Sequence, residues 1–89
     1  MWNRVNVENL VVFMMSVTGY SRYTVEKFLE FVSFLGHTEH DLIKEAQGWD
    51  ILGDQERTDT AKKYTGVYNI SQFYVLMHYL SNKEGVKNG

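Results

Sequence analysis

Four stretches of the chain place apolar side chains three and four positions apart, which is the spacing of one helix face. The pattern predicts a first helix over residues 6–18, a second over 21–36, a third over 38–47 and a fourth over 62–81. No stretch alternates apolar and polar residues as a half-buried strand does. The sequence therefore predicts an all-α fold, a compact four-helix domain with short connections.

Polar residues and glycines mark the ends of the predicted helices. Asn6, Ser21 and Thr38 each precede an apolar-periodic stretch, and such side chains cap helix N-termini. Asp41 stands three residues after Thr38, which is the spacing of a capping box with Asp in place of Glu. Gly19 follows the first helix directly, where a left-handed residue commonly ends a helix.

Between the third and fourth predicted helices lies a stretch with weaker signals. Trp49, Ile51 and Leu52 are expected to pack back onto the core. Gly53 to Thr60 is the most polar part of the chain, and its turn-forming residues predict a loop, with a helical turn inside it as the alternative. Gly66 weakens the definition of where the fourth helix begins.

Length and composition favour one globular domain. The 89 residues are 44% hydrophobic, which excludes intrinsic disorder. We assign residues 1–85 to a single helical domain and residues 86–89 to a flexible tail or the start of a linker. The chain has no cysteine, which fits a reducing compartment such as the cytoplasm. Its longest apolar run, Leu10–Met15, is too short to span a membrane.

No constellation of residues predicts catalysis or a bound cofactor. The serines and threonines stand at caps or on helix faces, without a recognisable base. His37 and His40 are three residues apart beside Glu39 and Asp41, and two histidines with a carboxylate can bind a metal. The pair spans a helix start, however, so solvated surface residues are the simpler interpretation. We expect no cofactor, no metal and no catalytic residue.

Two segments together carry a more specific pattern. The first segment is Ser21-x-x-Thr24-x-x-x-Phe28 followed by Phe31, Val32 and Leu35, and the second is Thr65 followed by Ile70-Ser71, Phe73, Leu76-Met77 and Tyr79-Leu80. In this order they resemble the N-terminal core-binding domain of tyrosine recombinases and phage integrases, also called the SAM-like domain. The resemblance covers roughly residues 5–85.

The chain also departs from that family's pattern. The family usually has Tyr where Phe28 stands, and then an Asp-Leu pair, of which Val32 matches the Leu in kind and Phe31 replaces the Asp. Asp41-Leu42 is similar to the pair that typically opens the third helix. An Asn-Pro usually leads on to the catalytic domain, whereas this chain ends with residues 87–89, Lys-Asn-Gly.

The resemblance implies a SAM-like orthogonal bundle that forms half of a clamp around duplex DNA, with its second and fourth helices near the major groove. It implies that the catalytic residues belong to a separate domain, so that this chain alone is not an enzyme, and that a catalytic domain or another protein is a possible further partner. The candidate DNA-binding residues are Arg22, Tyr23, Lys27, Lys62, Lys63, Tyr68, Asn69 and Gln72. The net charge of −2 counts against this function, because DNA-binding domains usually carry a basic excess.

Two other functions stay open. Thr18-Gly19-Tyr20-Ser21 resembles the turn of a helix-turn-helix regulator with residues 21–30 as recognition helix, although Met15 stands where a small residue is usual. The mild acidity and the two tryptophans, six tyrosines and five phenylalanines favour a protein-interaction module, such as a small phage or plasmid inhibitor. A large exposed apolar patch would indicate a protein partner. A basic face formed by Arg22, Lys27, Lys62 and Lys63 would indicate DNA.

Overall fold

The computed structural model describes residues 2–82, and they form helices joined by short connections. The five α-helices are α1 (Val7–Thr18), α2 (Arg22–Phe34), α3 (Glu39–Gln47), α4 (Asp54–Thr65) and α5 (Ile70–Asn82). Short 3-10 turns cover Trp49–Ile51 and Val67–Asn69. The predicted all-α class is confirmed, with five helices where the sequence predicted four. The tail predicted over residues 86–89 lies outside the described residues.

Helix α5 lies at the centre of the fold. It packs against α1, α3 and α4, while α2 packs against α1 and α4. Four of its side chains have no exposed surface, namely Phe73, Leu76, Met77 and Leu80. Within residues 2–82, no helix is both long enough and apolar enough to cross a membrane.

The predicted helix caps are confirmed. Asn6 and Ser21 accept hydrogen bonds from backbone N–H groups three residues ahead, at 3.0 and 3.2 Å. Thr38 and Asp41 form the complete capping box, with the two bonds at 3.1 and 3.0 Å. Gly19 ends α1 in the left-handed conformation, with φ of 78°. These local signals set the starts of the first three helices.

The interpretation of Gly53 to Thr60 as a loop is wrong, because residues 54–60 form the first part of α4 and Gly53 is its N-cap, so the helix is longer than the single turn left open as the alternative. The helix carries Asp54 and Glu56 in its first turn and Lys62 and Lys63 in its last, an arrangement that complements the helix dipole. The Glu56 carboxylate also accepts the Gly53 N–H at 2.9 Å. The helix was missed because few of its residues are buried, and these are Ala61, Tyr64 and Thr65.

The single helix predicted over residues 62–81 is also wrong, because Gly66 divides it. Gly66 has φ of 75° and ψ of 178°, a backbone region that is essentially restricted to glycine. The chain leaves α4 there, passes through the 3-10 turn Val67–Asn69 and begins α5 at Ile70. This break is the reason why the domain has a fifth helix.

The prediction for the segment after α3 is right for two of its three residues. Trp49 is buried, with its ring edge-on to Phe73 at 5.8 Å between centroids. Leu52 is half-buried and packs against the core. Ile51 is 86% exposed, because this single 3-10 turn directs Trp49 rather than Ile51 toward the core.

A buried carboxylate ties the beginning of the chain to α3. Glu39 is 6% exposed and accepts the backbone N–H groups of Asn3, Arg4 and Val5 at 3.0, 2.7 and 2.8 Å. Burial by itself raises the pKa of Glu39, but the three N–H donors together outweigh it, so the pKa lies below its ordinary value. We call this arrangement the Glu39 clamp.

Replacement of Glu39 by Gln is expected to lower the free energy of unfolding at pH 7 by about 1–3 kcal/mol, because hydrogen bonds to a charged acceptor are lost. The depressed folded pKa means that this stabilisation is complete above the unfolded value near 4.3 and disappears as the pH falls through the folded pKa. Urea titrations at pH 7 and at pH 2–3 check this prediction. The exposed Glu30→Gln serves as control, and an equal loss in both variants would contradict the clamp.

Replacement of Gly66 by Ala is expected to lower the free energy of unfolding by about 1–3 kcal/mol, because an alanine does not adopt this φ and ψ without strain. Gly48→Ala is the matched control, since Gly48 has φ of −101° and a Cβ atom there meets no atom within 4 Å. The free energy of unfolding of this control is expected to exceed that of the parent by no more than about 1 kcal/mol. Thermal unfolding of both variants measures the difference, and equal melting temperatures would refute the proposed role of Gly66.

Candidate nucleic-acid interface

Arg22, the first candidate on α2, is engaged by carboxylates. Its guanidinium donates to both oxygens of Glu8 at 2.7 and 3.0 Å, and to Glu26 at 3.4 Å. The hydrogen bonds and the charge of Arg22 lower the pKa of Glu8, and the same interactions raise the pKa of Arg22. The positive charge of Arg22 is therefore compensated at the surface of the domain.

Lys27 and Tyr23 form a second group on the exposed side of α2. The Lys27 ammonium lies 3.5 Å from a Glu30 oxygen and 5.5 Å from the centroid of the Tyr23 ring. Tyr23 is 70% exposed. All three α2 candidates thus reach solvent, but both cations among them face a carboxylate.

The cations at the end of α4 are differently placed. Lys62 and Lys63 are exposed, and within residues 2–82 neither forms a salt bridge. The Lys63 ammonium lies 5.8 Å from the Tyr64 ring centroid. In the 3-10 turn that follows, Tyr68 is 95% exposed and Asn69 is half-buried. We call Lys62, Lys63, Tyr68 and Asn69 the basic corner.

Gln72 does not belong to this surface. Its side chain is 5% exposed in the first turn of α5, and its Oε1 atom is buried without a hydrogen-bond partner. Gln72 is therefore not part of the exposed surface, and its contact with DNA stays a prediction. The predicted helix 62–81 gave no indication that α5 buries Gln72 and Phe73 in its first turn.

Thr65, which belongs to the second segment of the resemblance, is buried. It lies in the last turn of α4, is 2% exposed, and donates its hydroxyl to the Ala61 carbonyl at 2.8 Å. Its hydroxyl therefore bonds within α4.

The two groups of candidates lie toward different ends of α2. The His37 ring, just beyond the end of α2, contacts the Tyr64 ring at 4.4 Å between centroids, so the basic corner adjoins that end. Arg22 and Tyr23 are in the first turn, about 18 Å away along a helix that rises 1.5 Å per residue. Arg22 and Tyr23 therefore lie apart from the basic corner along α2, and Lys27 lies between the two groups along the helix.

Several large apolar side chains are exposed. Phe34 and Ile51 are 84% and 86% exposed, in addition to Tyr68. The other exposed members of this class are Val12, Val17, Tyr20, Tyr23, Phe31, Leu35 and Val67. Exposed apolar residues indicate contact with another macromolecule where they form a contiguous patch.

The candidate metal ligands serve other contacts. His37 packs against Tyr64, and Asp41 belongs to the capping box of α3. In the part of the chain that the structure describes, no three His, Asp or Glu side chains are grouped as a metal ion requires.

Burial and the nearby Glu45 raise the pKa of Tyr64 to about 12, which keeps its hydroxyl protonated as the donor to Glu45.

The carboxylates that compensate α2 were not identified from the sequence. Glu26 stands four residues after Arg22, and Glu30 three after Lys27, so both pairs have the spacing of helix neighbours. Glu8 is fourteen residues from Arg22, and only the packing of α1 against α2 brings the two together. Local spacing along the sequence is thus sufficient to predict two of these three ion pairs, but not the pair between Glu8 and Arg22.

Comparison of the chain with protein-family models, with curated proteins and with solved structures gives no match. The similarity to the recombinase core-binding domain therefore stays a prediction that rests on the residues that carry it.

Proposed function

We propose that this chain is a non-catalytic DNA-binding domain, of the kind found at the N-terminus of tyrosine recombinases, and that it contacts duplex DNA through the basic corner. The observation that carries the proposal is the placement of Lys62 and Lys63. They are exposed, adjacent and unpaired by any carboxylate of residues 2–82. The exposed Tyr68 and the half-buried Asn69 follow in the 3-10 turn after α4.

Each member of the basic corner has a chemistry that suits DNA. Lysine ammonium groups neutralise phosphates and release counterions, which supplies most of the affinity. Tyr68 offers a flat ring and a hydroxyl to the sugar–phosphate backbone, and the Asn69 amide can pair with a base edge. The basic corner lies where α4 meets α5. The resemblance implies that the fourth predicted helix, which contains α5, lies near the major groove, and α5 begins at this surface.

Helix α2 takes a smaller part in this proposal than the resemblance implies. Arg22 and Lys27 must leave Glu8, Glu26 and Glu30 before they bind phosphates. Exposed ion pairs are weak because water and salt screen them, so the exchange costs little, but the three carboxylates stay near the DNA and repel it. With a net charge of −2, the isolated domain is expected to bind weakly and to lose affinity steeply with salt.

In this account the chain holds DNA and does not cut or join it. Strand exchange requires the arginines and the tyrosine nucleophile of a catalytic domain, which the resemblance assigns to a separate part of such enzymes. A function of this kind places the protein in the cytoplasm, together with its DNA partner.

A protein-interaction module is the second candidate, and the exposed Phe34 and Ile51 favour it. A helix-turn-helix regulator has less support. In such a protein α2 is the recognition helix, yet both of its cations, Arg22 and Lys27, bind carboxylates. A salt-dependent DNA titration separates the first candidate from the protein module.

Fluorescence anisotropy of a labelled 20-base-pair duplex, titrated at about 50 and 200 mM salt, is the test. The parent protein is expected to bind at low salt. The double variant Lys62→Gln/Lys63→Gln is expected to bind more weakly and to lower the slope of log affinity against log salt by about 2, one for each phosphate contact.

Arg4→Gln/Lys44→Gln is the matched control, because it removes the same charge from exposed residues outside α2 and outside the basic corner. This control is expected to leave the salt slope nearly unchanged. Equal effects of the two double variants would exclude the basic corner as the contact surface. No binding by the parent at the lower salt would reject the DNA-binding function for this domain and leave the protein module.

A further inference from the structure

A cleft of about 280 Å³ runs between α1 and α2, apart from the basic corner. Its lining is almost wholly apolar, and Glu26 and Glu30 of α2 border one side of it with side chains that reach solvent. The lining residues are Trp2, Val7, Val11, Glu26, Leu29, Glu30 and Ser33. The volume is just below the range typical of cofactor and ligand pockets, and it suits a single large side chain.

The two carboxylates of the cleft are incompletely compensated. Glu26 and Glu30 are one helical turn apart on α2, and like charges at this spacing destabilise a helix. Each has one oxygen at a long distance from a cation, 3.4 Å to Arg22 and 3.5 Å to Lys27. Their side chains are 52% and 72% exposed. A further cation at this wall relieves the repulsion between them.

We propose that this cleft docks a basic amphipathic helix of a protein partner. One large apolar side chain of that helix enters between Trp2 and Leu29, and a Lys or Arg one turn away binds Glu26 and Glu30. The argument is charge complementarity around an apolar floor. An acidic partner would be repelled by the carboxylates of Glu26 and Glu30. A neutral apolar partner would not reduce the repulsion between these two carboxylates.

Exposed aromatic residues extend the contact surface beyond the cleft. Tyr23 lies one to two turns before Glu30 on α2 and Phe34 one turn after it, and these rings are 70% and 84% exposed. The cleft is small, so the complex is expected to be transient, in the class of interfaces that bury less than about 1,200 Å². None of its lining residues belongs to the basic corner, so this inference does not rest on DNA binding.

The experiment uses the full chain and a synthetic 15-residue helical peptide with a leucine stripe flanked by lysines. Trp2 fluorescence and the NMR signals of the Val7, Val11 and Leu29 methyl groups report on the cleft. Saturable changes at these groups are expected with the lysine peptide. A peptide of the same length with glutamates in place of the lysines is expected to produce none.

Two double variants and one single variant separate this site from general attraction between opposite charges. Glu26→Gln/Glu30→Gln is expected to weaken peptide binding about tenfold, since two partly exposed charge contacts each contribute a factor of about three. Asp50→Asn/Asp59→Asn changes the net charge equally outside the cleft and is expected to have less than a twofold effect. Ser33→Trp, which fills the cleft and keeps both carboxylates, is expected to abolish the methyl shifts.

Three results would overturn the proposal. Equal weakening by the two double variants would show nonspecific attraction. Peptide-induced shifts outside the cleft would show another site. Shifts of the cleft signals with protein concentration alone would show that a second copy of the chain occupies it. Far-UV circular dichroism of each variant verifies that the fold is retained.

Discussion

The burial of α5 is the constraint on which the rest of the structure depends. Seven of its thirteen residues are buried, and a domain of this size has little other material to cover it. Helices α1, α3 and α4 surround α5 directly. Helix α2 joins this arrangement through α1 and α4, and its outer side remains in solvent, with Tyr23 and Phe34 exposed.

The Glu39 clamp completes this arrangement at the beginning of the chain. By accepting three backbone N–H groups, Glu39 fixes the segment that buries Val5 and places Trp2 beside α1 and α2. The floor of the cleft between α1 and α2 thus depends on the Glu39 clamp, a contact made by α3. A buried carboxylate is tolerated here because each hydrogen bond that it accepts replaces one that water would have supplied.

The charged residues of the domain mainly serve local structure. Acidic residues begin α4 and basic residues end it, and Arg22 and Lys27 are paired on α2. Lys62 and Lys63 stabilise the end of α4 through the helix dipole, yet no carboxylate of residues 2–82 pairs with their ammonium groups. One set of residues therefore supports the fold and also forms the proposed DNA contact.

The sequence predicted α1, α2 and α3 with their caps, because each combines a polar cap with an apolar stripe. It did not predict α4, whose few buried residues leave no apolar period, nor the break at Gly66, whose backbone angles are set by tertiary packing. Seven of the eight candidate DNA-binding residues reach the surface at least in part, and Gln72 does not. The pairing of Glu8 with Arg22 depends on how α1 and α2 pack, which local spacing does not encode.

The most direct test of the proposed DNA contact is an NMR titration of the isotope-labelled protein with a duplex at low salt. We expect the backbone amide shifts to concentrate in residues 62–71, around Lys62, Lys63, Tyr68 and Asn69, while the amides lining the α1–α2 cleft stay unchanged. Shifts centred on the first turn of α2, or no shifts at all, would contradict a DNA contact at the basic corner.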